Sequence, residues 1–349
     1  MDDTLLTARI CRARRVAADH RFATAAEMLN TPDFWASVTG RDEPDLIAIQ
    51  SDLAWWLAWS GHSRQALEIL DRLARERASL DGLLVRILSR RAYVTGMASN
   101  PKLAADRFEE LARRLNDTAG VTARTQLHVA RQGARWLGTA GDVDGALSLL
   151  LALESEWAQR SGTNQREWLL LKSNIAYFMS QRGESSDTEQ CLRRYEELIT
   201  SRTELLGPSH PDTLDARRNR AWVLGLRDPV TAMMQLRQLL SDSLVVLESQ
   251  HRYVMVTRLD LAVMLTRAAL ADPGFAELAS SELAQLVDEL SAALAEAETP
   301  EDVLSEYGRT DLSLAKLDEI HEYLEGVGLE VLARETIRAQ DRLQADHTS

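Results

Sequence analysis

Cysteine, lysine, aromatic residues and long apolar runs are all scarce in this chain of 349 residues, and each scarcity excludes something. Two cysteines, Cys11 and Cys191, are too few for a disulfide framework or a thiolate metal site, and a small buried thiol is the expectation for both. None of the seven histidines stands at metal-ligand spacing, so no metal and no other cofactor is expected. The richest apolar stretch, Leu147–Leu153, is about a third of the length a membrane helix requires. Met1–Arg21 holds five arginines and no apolar core segment, so no secretory leader is expected and the expected compartment is the cytoplasm. No segment alternates apolar and polar residues for long enough to suggest a strand. All eight prolines fall between helical patterns or at helix starts, where a missing N–H costs little. The expected fold is all-α.

Familiar catalytic sequences are missing as well. There is no GxxxxGK phosphate loop, and Gly326-Val327-Gly328 lacks the third glycine and the preceding strand of a dinucleotide fingerprint. His321-Glu322 begins like a zinc-protease helix, but Glu325 stands where the second histidine would be. Asp2-Asp3 is no aspartate box. An enzyme is therefore not expected.

What the chain does hold is a globular composition, 45% hydrophobic and 27% charged, with a net charge of −13. Of its 40 basic residues only Lys102, Lys172 and Lys316 are lysine, a bias that looks like a GC-rich bacterial genome. The charge is uneven. Glu277–Glu330 carries fifteen acidic residues against Arg309 and Lys316, whereas Arg86–Arg135 carries ten basic residues against four acidic ones. The net acidity and the absence of a helix-turn-helix pattern argue against nucleic acid.

A repeat organises the chain. Leu53-Ala54-x-x-Leu57-x-x-x-Gly61-x4-Ala66 matches Ala134-x-x-Leu137-x-x-x-Gly141-x4-Ala146. Each reads as a helix, a glycine turn and a second helix that approaches the first closely through a small residue. Anchored on the first-helix alanine, the frame recurs at Ala13, Ala54, Ala92, Ala134, Ala176, Ala221 and Ala262, with spacings of 41, 38, 42, 42, 45 and 41. Three residues after the anchor the side chain is apolar except at Thr95. Seven after it stand Gly61, Gly141 and Gly183, while His20, Ser99, Asp228 and Ala269 break the pattern. The second-helix small residues are Ala25, Ala66, Ala104, Ala146, Cys191 and Ala232. Residues 1–300 are expected to form the array. Residues 301–349 read as a closing helix pair, acidic at its start. Asn30 to Asp45 is the most irregular connection and the expected hinge.

Leu206-Gly207-Pro208-Ser209-His210-Pro211-Asp212-Thr213-Leu214, followed by Asn219, Ala221 and Leu224, resembles the tetratricopeptide repeat of the kinesin light chain type. Repeat arrays of actinobacterial proteins, including those attached to regulatory ATPases, are similar. The resemblance implies a right-handed α-solenoid, a superhelix of about seven helix pairs. First helices would line a concave groove that binds a protein or an extended peptide. His210-Pro211-Asp212 also matches the tripeptide of the J-domain co-chaperones, but it sits inside a repeat linker.

One stripe of each first helix would face that groove. It supplies Trp55, Tyr93, Arg135, Tyr177 and Trp222 one residue after the anchor, Arg90, Asn174 and Asn219 two before it, and Arg131 and Arg218 three before it. In resembling repeats an Asn at the place of Asn174 and Asn219 holds a peptide backbone, since an amide offers a donor and an acceptor together. Arg86, Arg90, Arg131 and Arg135 form two i,i+4 pairs on successive first helices and suit an acidic partner or a free C-terminus. Relatives that clamp a C-terminal carboxylate use Lys and Asn where this chain has Ser51 and Trp55. Trp55 and Trp59 share a helix side and are expected to face the groove, while Trp56 points to the core. The function expected is a non-enzymatic binding scaffold. The alternative is a peptide-sensing bacterial regulator of the pheromone-receptor kind, also built of such repeats.

Overall fold

The computed structural model describes residues 3–18, 21–37, 43–77, 80–116, 118, 120–158, 165–249, 251–296 and 310–345. The expected boundary at 300/301, the acidic start of the closing segment and residues 38–42 of the irregular connection lie outside the described residues. Seventeen α-helices and no strand occur among the described residues. They are α1 (Asp3–Ala18), α2 (Phe22–Leu29), α3 (Pro32–Ser37), α4 (Glu43–Trp59), α5 (Ser63–Arg75), α6 (Gly82–Met97), α7 (Pro101–Asn116), α8 (Ala123–Thr139) and α9 (Val143–Ala158). Then come α10 (Gln165–Arg182), α11 (Ser185–Leu206), α12 (Pro211–Leu224), α13 (Pro229–Leu244), α14 (Arg252–Ala271), α15 (Ala276–Glu296), α16 (Thr310–Gly326) and α17 (Glu330–Ala345).

The repeat frame is visible in burial. All seven anchor alanines are at most 1% exposed, and Ala25, Ala66, Ala104, Ala146, Cys191 and Ala232 are completely buried. A methyl group or thiol is what fits where two helix axes come this close. Cys191 shows the contact directly, because its Sγ donates to the Ala176 carbonyl of the partner helix at 3.1 Å. Cys11, in contrast, is exposed, against expectation. Thr95 keeps its hydroxyl satisfied inside its own helix by donating to the Arg91 carbonyl at 2.7 Å.

The turn after the first helix is equally regular in four of the seven units. Eight residues after the anchor an N–H donates to the carbonyl three after it: Arg21 to Val16, His62 to Leu57, Asn100 to Thr95 and Asp142 to Leu137, at 2.8–3.2 Å. Such a closure needs a left-handed residue just before the donor. Gly61 and Gly141 supply it with φ of 83° and 99°, and Ser99 adopts the same conformation with φ 61°. Gly183 is also left-handed, with φ 71°, but there the glycine's own N–H donates to Met179 at 3.4 Å. Ser99 thus departs from the sequence pattern but not from the structural one.

The chain forms two compact units, Met1–Glu167 and Trp168–Ser349, with the boundary inside α10. In the first unit successive helices from α4 to α9 pack on their neighbours, α2 packs on α1 and α4, and α4 also touches α6. Leu6, Leu29, Phe34, Leu70, Leu73 and Ile87 form its main core. The irregular connection contains α3, whose Phe34 is buried under the Arg9 guanidinium, 5.3 Å from the ring centroid. In the second unit α12, α13, α14 and α15 pack in succession, and α16 and α17 pack on α14 and α15.

That last pair repeats the frame. His321 occupies the anchor position, Leu324 is buried three later, Gly328 has φ 77° seven later, and Ala333 is buried twelve later. The Leu329 N–H donates to Leu324 at 2.9 Å, the same closure as that of His62 on Leu57 and Asp142 on Leu137. An imidazole replaces the alanine because its Nδ1–H finds acceptors, the Ala333 carbonyl at 2.9 Å and the Thr336 hydroxyl at 3.1 Å.

The linker signature is a helix start. Gly207 turns the chain with φ 96°, His210 Nδ1 accepts the Asp212 N–H at 3.1 Å, and Pro211 opens α12. His251 caps α14 in the same way through the Tyr253 N–H.

Candidate functional site

In the first unit α4, α6 and α8 bring Trp55, Trp59, Tyr93, Arg90 and Arg135 together. Trp55 lies 5.8 Å from Trp59 and 5.2 Å from Tyr93 between ring centroids, and Trp56 points into the core. Two aromatics outside the expected set extend this row. Phe22 stacks on Trp59 at 5.6 Å and Trp136 meets Tyr93 edge-on at 5.2 Å. The Arg90 guanidinium sits 5.6 Å over Trp55, and that of Arg135 sits 5.4 Å over Tyr93 while donating to its hydroxyl at 3.2 Å. Trp55 and Tyr93 are therefore each covered on one side by a cation from the next first helix.

The guanidinium groups are tied by carboxylates one repeat away. Asp52 accepts from Arg14 on α1 at 2.7 Å and from Arg90 on α6 at 2.9 Å. Arg90 also donates to Ser51. Burial pushes the Arg90 pKa down, and Asp52 opposes the shift. Arg86 is exposed and has no carboxylate partner among the described residues. Arg131 is buried and donates to Glu167 at 3.3 Å, with His128 at 3.5 Å from the same oxygen. Burial also lowers the Arg131 pKa. The Glu167 carboxyl is pushed up by burial, but His128 and Arg131 together bring it below the usual carboxylate range.

The second unit repeats this design. Arg218 on α12 is buried and donates to Asp260 at 2.7 Å, Asp215 at 3.2 Å and Asn219 Oδ1 at 2.8 Å. Asn219 in turn donates to Asp215. Lys316 on α16 donates to the other oxygen of Asp260 at 2.6 Å and places its Nζ 4.3 Å from the Trp222 ring centroid. Arg267 lies 5.1 Å from the same centroid. A cavity of about 40 Å³ opens among Tyr177, Tyr195, Asn219, Trp222 and Lys316. Asn174 occupies the same register on α10 as Asn219 on α12, yet differs from it. Its side chain is buried and its Nδ2 has no hydrogen-bond partner among the described residues.

Asp52, Glu167, Asp260 and Lys316 were not among the expected site residues. The signal for the three carboxylates was a charge of opposite sign about one repeat away, as for Arg14 and Asp52 or Arg218 and Asp260. No group of three or more His, Cys, Asp or Glu side chains able to hold a metal ion occurs among the described residues.

No family model and no curated protein matches the chain. Solved structures do. A Rap protein complexed with competence and sporulation factor is 10% identical, with a TM-score of 0.58 over 98% of this chain and 99% of that one. BtubC (BKLC) from P. vanneervenii is 17% identical, with a TM-score of 0.52 over 68% of this chain and 91% of its own. The apo quorum sensor NprR from B. thuringiensis is 12% identical, with a TM-score of 0.51 over the full length of both. At such identities the likeness is one of fold. The chain is an all-α solenoid of tetratricopeptide-type helix pairs.

Proposed function

We propose that this chain is a non-catalytic binding protein that holds a protein segment or extended peptide along its first helices. Asn174 carries the reading: a buried amide whose Nδ2 lacks an acceptor among the described residues, three residues before the half-buried Tyr177 on the same helix. An unsatisfied buried donor costs about 1–3 kcal/mol. A peptide carbonyl would satisfy it. Trp222 would anchor a ligand side chain on the same unit as Asn174, and Trp55, Trp59 and Tyr93 offer aromatic anchors on the first unit. On the first unit Arg14, Arg86, Arg90, Arg131 and Arg135 outnumber Asp52 and Glu167, which suits acidic residues or a free C-terminus. Residues 1–300 form the binding array in this reading, and 301–349 close it. The setting it implies is the cytoplasm, with neither nucleic acid nor membrane as partner. No helix among the described residues is long and apolar enough to cross a membrane.

The full-length likeness to the Rap protein and to NprR favours a second reading, in which binding drives a conformational output as in a peptide sensor. Affinity capture from the source cell's lysate tests the first reading, with wild type against Asn174→Ala. That variant leaves the Arg218 network intact. A protein enriched only by wild type supports the groove, whereas equal enrichment overturns it. Small-angle scattering with and without the captured ligand then separates the readings, because a sensor compacts and a scaffold keeps its dimensions.

A further inference from the structure

A second concavity lies on the other side of α12. Arg217 and Arg220, three residues apart, point to one side of this helix, and Arg218 and Trp222 to the opposite one. The former pair lines a cleft of about 420 Å³ between α11 and α13, with Ile199 and Leu239 as its apolar lining. Both guanidinium groups are already neutralised. Arg220 donates to Glu196 at 2.6 Å, and Arg217 to Asp242 at 2.8 Å.

Two glutamines on α13 complete the cleft, and their orientation follows from their partners. Arginine can only donate, so Gln235 turns its oxygen to Arg220 Nη1, 3.2 Å away, and keeps its NH2 group for another partner. An ionised carboxylate can only accept, so Gln238 gives its NH2 to Asp242 at 2.9 Å and keeps its carbonyl. The Gln238 and Arg217 hydrogen bonds hold the Asp242 carboxyl below its ordinary range, so it is ionised at neutral pH. One uncommitted donor and one uncommitted acceptor thus stand three residues apart on a single helix face. Arg220 adds a buried Nε–H with no acceptor among the described residues. A free anion fits poorly, since it would meet Glu196 and Asp242 at the rim.

We propose that this cleft is a second binding site, for a secondary amide next to an aliphatic group, the chemistry of one apolar residue in an extended polypeptide. The ligand carbonyl accepts from Gln235 and Arg220, its N–H donates to Gln238, and its side chain covers Ile199 and Leu239. The volume is within the range of about 300–1,000 Å³ typical of ligand pockets. The site shares no residue with the Asn174 face.

The test is a titration of the ¹⁵N-labelled full chain with N-acetyl-L-leucinamide, followed through the side-chain amide signals of Gln235 and Gln238. These are assigned by their loss in Gln235→Met and Gln238→Met. Saturable shifts of both signals in the wild type are expected. The double variant should bind roughly tenfold more weakly, having lost two neutral hydrogen bonds, and Asn174→Ala should bind as wild type does. The wild-type signals report binding even if the double variant folds poorly. No saturable shift, equal binding by a folded double variant, or the same shifts produced by acetate alone would each overturn the proposal.

Discussion

Lys316 and Asp260, 56 residues apart, meet at 2.6 Å with almost no access to solvent, the lysine side chain 8% exposed and the carboxylate 0%. The contact ties the last helix pair to α14 by a charge rather than by packing alone. Breaking one member of a buried pair leaves the other uncompensated. Lys316→Met should therefore lower the unfolding free energy by about 3 kcal/mol, the low end for such a change because Arg218 still holds Asp260. Urea denaturation measures it, and a loss below about 1 kcal/mol would show that Arg218 alone suffices.

Asp52 offers an internal comparison, because its two arginines differ in exposure. The Arg14 side chain is 48% exposed and that of Arg90 only 18%. Arg14→Met should cost under about 1 kcal/mol, as surface pairs do. Arg90→Met should cost about 2–3 kcal/mol, since it strips a charge-assisted bond and the cover over Trp55. Equal melting temperatures for the two variants would contradict this ranking.

Gly96 and Gly61 are needed for different reasons. A Cβ on Gly96 would stand 2.4 Å from the buried Trp136 ring, which has no room to retreat. A Cβ on Gly61 meets nothing within 4 Å, but φ there is 83°. Gly61→Ala should cost about 1–2 kcal/mol through backbone strain. Gly96→Ala should cost more, about 3 kcal/mol through overpacking, and should alter the near-ultraviolet circular dichroism of Trp136. Identical spectra for Gly96→Ala and wild type would refute the close approach.

The two thiols should separate chemically. Burial, then Asp187, pushes the Cys191 thiol up to about 12, whereas Cys11 is exposed. Iodoacetamide at pH 8 should label Cys11 in the native protein and reach Cys191 only after unfolding, as peptide mass spectrometry would show. Because the folded state raises this acid's pKa, its stabilising contribution is complete below the unfolded value of about 8.5. It declines as pH climbs from there toward 12.

The fold was legible because a small residue at a helix crossing is a local demand repeated at constant spacing. Seven alanines announced it, and each is buried where the spacing put it. The eighth unit stayed hidden as a unit because His321 meets the same demand by hydrogen bonding rather than by size, and because 59 residues separate it from Ala262. Ser99 concealed a left-handed turn that only its φ discloses. At the candidate site residue types were readable, but partners were not. Arg131 and Arg218 look like ligand-seeking groups until Glu167 and Asp260, 36 and 42 residues away, come into contact with them.

Those bridges have a consequence for how the chain can change. Each carboxylate is matched to cations on particular neighbours: Asp52 to Arg14 and Arg90, Asp260 to Arg218 and Lys316. Excising the unit anchored at Ala92 would set Asp52 opposite Gln132, which occupies the place of Arg90 in the next unit. The carboxylate would lose a charged partner and keep its burial. The unit anchored at Ala92 is thus a numbered part rather than an interchangeable one, because its loss leaves an interior carboxylate short of a cation.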